Sequence, residues 1–327
     1  MKKIYCILPD EIPLSICGKG YVDGFIRADY FVEKDVITKF EEENIIKFSP
    51  DYILFFDFNK TLKKLIKTLY KQNENTVFIF YLLNNADFEK SEFIKSLNKS
   101  KFRYLIFSAD KENLTLSDKI IYLPVGVNAK KYKAEVSGYK NVMSIFSNPE
   151  NPKFTDLFEK LNPYFKNINF YCDEIEYLKS LESEWFINLD EETKNKYKNS
   201  YKGFASKEKE RVKIFSESYI NVILSDKIKD GIDFQVFEAM ASSGIVFCEP
   251  MPEIMRLFDI GHEIETFENF EELIQKAEFY IKYPFVGQSL GLNARRAVIN
   301  NHSVYDKVKQ MIETIDKKIN KKETEND

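Results

Sequence analysis

Apolar runs of strand length alternate with runs of helical periodicity from one end of this chain to the other. No other feature narrows the fold as much. In the first half, strand-type runs stand at 3–8, 52–58, 76–83, 103–108 and 120–123, with helix-type runs at 36–47, 61–72 and 88–97. Within 61–72, Leu62, Leu65, Ile66 and Leu69 recur at helical spacing and so share one face. The strands are apolar almost throughout, as parallel strands buried on both sides must be. Alternation of such strands with helices puts helices on both faces of a mostly parallel sheet.

The rhythm pauses over the polar stretch 128–140 and then restarts. Strands are expected at 141–146, 168–172, 219–225, 245–249 and 263–267. Helices are expected at 154–165, 208–216, 234–242, 253–258, 270–282, 289–299 and 304–319, with helical stretches in the polar segment 175–201. A chain of 327 residues suits two domains. The reading is therefore α/β, with two Rossmann-like doubly wound domains at 1–130 and 131–320. The last helix, 304–319, is a candidate to pack back, and 321–327 is a disordered tail. Ligands of such sheets bind outside the carboxyl ends of the strands, so a cleft between the two domains is the expected site.

Charge and cysteine usage exclude several classes. The net charge is −4 with both signs interspersed, which is not the footprint of a nucleic-acid binder. The lysine-rich runs 60–71 and 317–322 read as solvated helix faces. Cys6, Cys17, Cys172 and Cys248 show no CxxC spacing, and the two histidines, His262 and His302, form no cluster, so no metal site is expected. Unpaired cysteines in apolar runs fit a reducing, cytoplasmic setting. The N-terminal apolar run meets Pro9-Asp10 too soon for a signal segment, and no run approaches the roughly 20 apolar residues of a membrane span. Peripheral membrane association is compatible with this.

The stretch KIKDGIDFQVFEAMASSGIVFCEP, 227–250, carries the most chemistry. A loop with Asp230 and Gly231 leads into a helix whose one carboxylate, Glu238, stands among small and apolar residues. Ala239, Ala241, Ser242, Ser243 and Gly244 permit close backbone approach. A carboxylate here suits the two hydroxyls of a ribose, and the free N–H groups at the helix start suit a diphosphate.

This segment resembles the C-terminal signature of GT-B glycosyltransferases, in particular the group related to the spore-maturation protein CgeB. That group shows Arg-x-Phe-Glu-Ala-x-Ala-x-Gly before an apolar strand. Here the segment runs Gln235-Val236-Phe237-Glu238-Ala239-Met240-Ala241-Ser242-Ser243-Gly244. Asp230 and Glu238 have the separation of the paired acidic residues of the retaining GT-B enzymes. The segments 252–258, 261–263, 270–273, 293–296 and 302–303 are similar to the group's closing region after that strand, and 122–128 to the end of its first domain. The likeness covers about 120 to 310.

The resemblance implies a metal-independent transferase without a cofactor, taking a nucleotide-sugar donor and a surface-glycan or protein acceptor, with retention slightly favoured. Glu238 would bind the donor ribose, Asp230 would contact the sugar, and the backbone of Gly231, Ile232, Asp233 and Phe234 would approach the diphosphate. Gln235 stands where the group has arginine, and Asp233 adds a negative charge, so a cation must come from elsewhere. Lys153, Lys207, Lys209, Arg211 and Lys213 are the candidates. On the acceptor side, Asp10 and Glu11 follow the first strand, and either could serve as general base if the reaction inverts. Gly18, Gly20 and Gly24 read either as ordinary turn glycines of a solvated loop or as points where the backbone approaches a ligand. A nucleotide-sugar epimerase of the same fold, or a binding protein without activity, are the alternatives.

Overall fold

The computed structural model describes residues 1–10, 14–56, 60–83, 88–132, 139–205, 207–224 and 231–320. Two compact units result. One comprises Met1–Asn128, Lys227–Phe234 and His302–Asp327; the other comprises Ala129–Asp226 and Gln235–Asn301.

The first unit is built on six strands: β1 (Lys3–Leu8), β2 (Phe31–Val36), β3 (Tyr52–Phe56), β4 (Val77–Leu82), β5 (Arg103–Ser108) and β6 (Ile120–Tyr122). They lie in the order β2-β1-β3-β4-β5-β6, and every pairing is parallel. β3 and β4 are buried along their whole length, which is why their sequences are apolar without alternation. β2 departs from the expected pattern. Its sequence, FVEKDV, is mostly exposed, because it is an edge strand. Charges on an edge blunt its tendency to pair with other chains, and the same charges hide the strand from a hydrophobicity reading. The helix expected at 36–47 is the shorter Glu42–Phe48.

The glycines after β1 are not in a turn. They lie inside the helix Leu14–Arg27. A Cβ on Gly24 would stand 2.7 Å from Val308 Cγ2, and one on Gly20 would be 3.6 Å from Val304 Cγ2. These glycines let the helix approach the terminal helix Val304–Ile315, which belongs to the same unit. That helix is entered through a bridge between Val127 and Ser303, in which Val127 N–H donates to His302 O (3.1 Å) and Val304 N–H donates to Val127 O (3.0 Å).

The second unit has β7 (Asn141–Phe146), β8 (Ile168–Tyr171), β9 (Ser218–Ile223), β10 (Ile245–Cys248) and β11 (Glu265–Thr266) in the parallel order β11-β10-β9-β7-β8. The segment 175–201 forms three helices, Glu174–Leu181, Glu184–Asn188 and Glu191–Ser200. Phe154, Phe158, Phe170 and Tyr197 pack together beneath them. The helix Glu208–Glu217 runs into β9 with no loop, so strand side chains must satisfy its last carbonyls. Ser218 Oγ donates to Ile214 O (2.8 Å) and Asn221 Nδ2 to Phe215 O (3.2 Å). Gly244 accommodates this arrangement, since a Cβ there would be 2.3 Å from Asn221 Nδ2.

All four cysteines are buried and free. Burial pushes the Cys6 and Cys248 thiols up to about 12, and the Cys172 thiol upward as well. The thiolate is the reactive species. A disulfide-exchange dye should therefore label the native protein slowly at neutral pH and all four thiols once it is denatured; fast labelling of the native protein would contradict this packing. No described helix is long and apolar enough to cross a membrane.

Candidate functional site

In a doubly wound sheet a crevice opens where consecutive strands leave in opposite directions. In the first unit the chain goes from β1 outward to β2 and returns to β3, so the crevice lies between β1 and β3. In the second it goes from β7 to β8 and returns to β9. The carboxyl end of β1 delivers Asp10, which is exposed; Glu11 lies outside the described residues. The carboxyl end of β7 leads to Asn151, whose side chain caps the helix Pro152–Leu161 by accepting from Lys153 N–H (3.0 Å). Lys153 Nζ is paired with Glu249, just past β10.

β9 leads, through a segment that includes Asp230 and lies outside the described residues, to the helix Phe234–Ala241. Gly231, Ile232 and Phe234 are buried, and Asp233 and Gln235 half-buried. Gly231 forms a bridge with Asp110 of the first unit, to which 227–234 also belong.

Glu238 is fully buried. Arg211 Nε donates to both its carboxylate oxygens, at 2.8 and 3.0 Å, and Nη2 adds a second contact to Oε2. Tyr132 hydroxyl donates to Oε1 at 2.5 Å. Arg211 Nη2 also reaches Gln235 Oε1 at 3.3 Å. Three donors on one buried carboxylate, two of them from a planar guanidinium, are what a charge removed from water requires. Burial, reinforced by the charge of Glu238, raises the Tyr132 hydroxyl well above its ordinary range, so it remains a proton donor to Glu238.

Among the candidate cations the structure brings Arg211 to Glu238 and Gln235. Arg211 and Phe215 are one turn apart on the buried face of Glu208–Glu217, whereas Lys207, Lys209 and Lys213 are exposed. Two further residues belong to the arrangement. Tyr132 comes from the stretch that reads as a polar linker. Arg295, on the helix Pro284–Asn301, donates through its guanidinium to the main-chain carbonyls of Ala129, Tyr132 and Ala241. Arg295 thus ties the segment bearing Tyr132 to the end of the helix bearing Glu238. Tyr132 has no local sequence signal, because Glu238 is distant in the chain, whereas Arg295 lies in the segment 293–296 that resembles the closing region of the GT-B group. Among the described residues no group of His, Cys, Asp and Glu is arranged to hold a metal ion.

Residues 157–313 match the family model described as Glycosyl transferase-like. No curated protein matches the chain. Solved structures do. A glycosyltransferase from Rickettsia africae aligns with a TM-score of 0.66 at 14% identity, covering 97% of this chain and 98% of that one. The Anabaena protein HepE, in complex with UDP and glucose, aligns with a TM-score of 0.69 at 13% identity over 97% of this chain and 100% of that one. Sucrose-phosphate synthase from Thermosynechococcus elongatus gives 0.69 at 10% identity, over 97% and 99%. At these identities the structural likeness speaks for the fold, and the family match speaks for the segment that carries Arg211 and Glu238. The chain thus shares the fold of these structures, two parallel α/β sheets, and its residues 157–313 are similar to the glycosyl transferase-like family.

Proposed function

We propose that the chain transfers a sugar from a nucleoside diphosphate sugar to a glycan or protein acceptor, as a metal-independent, CgeB-like enzyme of surface-glycan synthesis. HepE is solved with UDP-glucose, which makes UDP-sugars the first donors to try. The observation that carries the reading is the buried Glu238 on the Phe-Glu-Ala helix, held by Arg211. Arg211 supplies the cation that Gln235 does not. In this reading a ribose hydroxyl takes the place of the Tyr132 hydroxyl on Glu238 Oε1 while Arg211 stays in position. Gly231 to Phe234 offer backbone N–H groups to the diphosphate, with Lys153 and Lys213 as further donor-side cations. Asp230 contacts the sugar, and its spacing from Glu238 favours retention; Asp10 or Glu11 would be the base of an inverting reaction. Free buried cysteines suit a cytoplasmic location.

Melting curves with UDP, UDP-sugars and the other nucleotide-sugars test this, since a ligand of the native state raises the melting point. A rise is expected with one class of donor. Glu238→Gln should weaken that donor at least tenfold, in line with about 1.5–3 kcal/mol for a hydrogen bond to a charged group. Transfer should persist in a chelator. Donor affinity unchanged in Glu238→Gln would refute the site, and donor turnover to an epimer without transfer would favour the epimerase reading.

A further inference from the structure

A groove of about 480 Å³ lies in the first unit, at the edge of its sheet. It runs beside the edge strand β2, where the register sets Lys3 against Phe31, Tyr5 against Glu33 and Ile7 against Asp35. The groove touches β2 from Phe31 to Asp35, about 13 Å at 3.3 Å per residue. The helix Glu42–Phe48 forms the other wall with Asn44, Lys47 and Phe48.

Its lining combines a ring platform with polar groups of both signs. Phe31 is 53% exposed. It is stacked on Phe48 with centroids 5.5 Å apart and planes inclined by 20°. Phe48 is held from the other side by Lys3, whose Nζ lies 5.5 Å from the ring centroid and donates to Phe48 O at 3.1 Å. The platform is therefore fixed. Asp35 is oriented by the hydroxyl of Tyr5, a buried residue whose pKa is raised by burial and by Asp35, so the phenol remains a donor. Glu33 and Asp35 supply acceptors, and Lys34, Asn44 and Lys47 supply donors.

Each ligand class meets this lining differently. A nucleotide would bring its phosphates among Glu33 and Asp35 as well as Lys34 and Lys47, so no cation there is uncontested by a carboxylate. A lipid chain would strand the lysines and carboxylates without water. A sugar ring has a C–H face that covers an aromatic ring and a rim of hydroxyls that both donate and accept. It needs platform, acceptors and donors together, and it carries no charge to be repelled.

We propose that this groove is a subsite for a neutral glycan, a second hold on the acceptor chain remote from the point of transfer. The inference rests on the reading of the acceptor as a glycan rather than a protein. Ligand-observed NMR and calorimetry on the full chain, with neutral gluco- and N-acetylglucosamine oligosaccharides of increasing length, test it. Affinity is expected to grow with chain length, and Phe31→Ala to lower it roughly tenfold. Asp35→Asn should lower it as well. Phe31→Ala should leave nucleotide-sugar binding unchanged, and since the ring is half exposed the variant should keep its fold. The proposal is overturned if no neutral oligosaccharide binds, if Phe31→Ala binds as well as the parent, or if the groove takes only an extended peptide along β2. Loss of nucleotide-sugar binding in Phe31→Ala would also overturn it. Glycan binding here with no transfer from any nucleotide-sugar would instead sink the proposed function and leave the subsite standing.

Discussion

Arg211→Met should be among the most damaging single changes in this chain, lowering stability by about 3–5 kcal/mol, because it strands the buried Glu238 carboxylate without its cation. The loss is one of desolvation rather than of attraction. A charge held away from water, with the Tyr132 hydroxyl as its remaining donor among the described residues, must draw water in or lose its charge. The double variant Arg211→Met/Glu238→Leu should therefore be more stable than the single one, since removing both charges removes the unpaired group. Urea unfolding of the parent, the single and the double variant provides the comparison. If Arg211→Met cost less than about 1 kcal/mol, the pair would be behaving like an exposed one. Donor binding is expected to fail in both variants, which separates the stability of the network from its use.

Gly291→Ala should have the next largest effect. A Cβ at Gly291 would stand 2.2 Å from Ser243 O and 3.0 Å from Ser243 C. Both are backbone atoms, so no side chain can rotate away to make room. Ser243 is itself held at a φ of 64°, the left-handed region that a serine adopts only under constraint from its surroundings. The helix Pro284–Asn301 has to retreat or the Ser243 turn has to deform. Overpacking of this kind costs typically about 1–3 kcal/mol, and a clash with fixed backbone belongs at the upper end. Gly203→Ala is the matched control. Its φ of 83° strains an alanine, yet nothing lies within 4 Å of the added methyl. Equal losses in the two variants would show that packing against Ser243 is not what requires glycine at 291.

The strands that are easy to read are those whose chemistry has one task. β3 and β4 are buried on both faces and are simply apolar. β2 escapes notice because an edge strand must also discourage pairing, and Glu33, Lys34 and Asp35 do that at the expense of the pattern. Gly18, Gly20 and Gly24 mislead for a related reason. A glycine in a sequence signals a turn or a close approach, and only the neighbours it meets decide between them, Leu8 and Phe56 for Gly18 and the distant Val304 and Val308 for Gly20 and Gly24. The site divides along the same line. Glu238 is legible as a charge among apolar and small residues, and Arg211 only as one of five candidate cations. Tyr132 sits in a polar stretch and meets Glu238 across 106 residues, and Arg295 bonds main-chain carbonyls among the described residues. Asp10 is described and exposed, whereas Asp230 and Glu11 fall outside the described residues.

The membership of His302–Asp327 in the first unit has a consequence for how the protein is made. Synthesis runs from the amino terminus, and domains commonly fold as they emerge. Here the glycine-lined face of Leu14–Arg27 receives its covering helix only when Val304–Ile315 leaves the ribosome. The face of Leu14–Arg27 is thus covered only about 280 residues after it is made. It has to be kept from other chains for that interval, and losing Val304–Ile315 would deprive it of its packing.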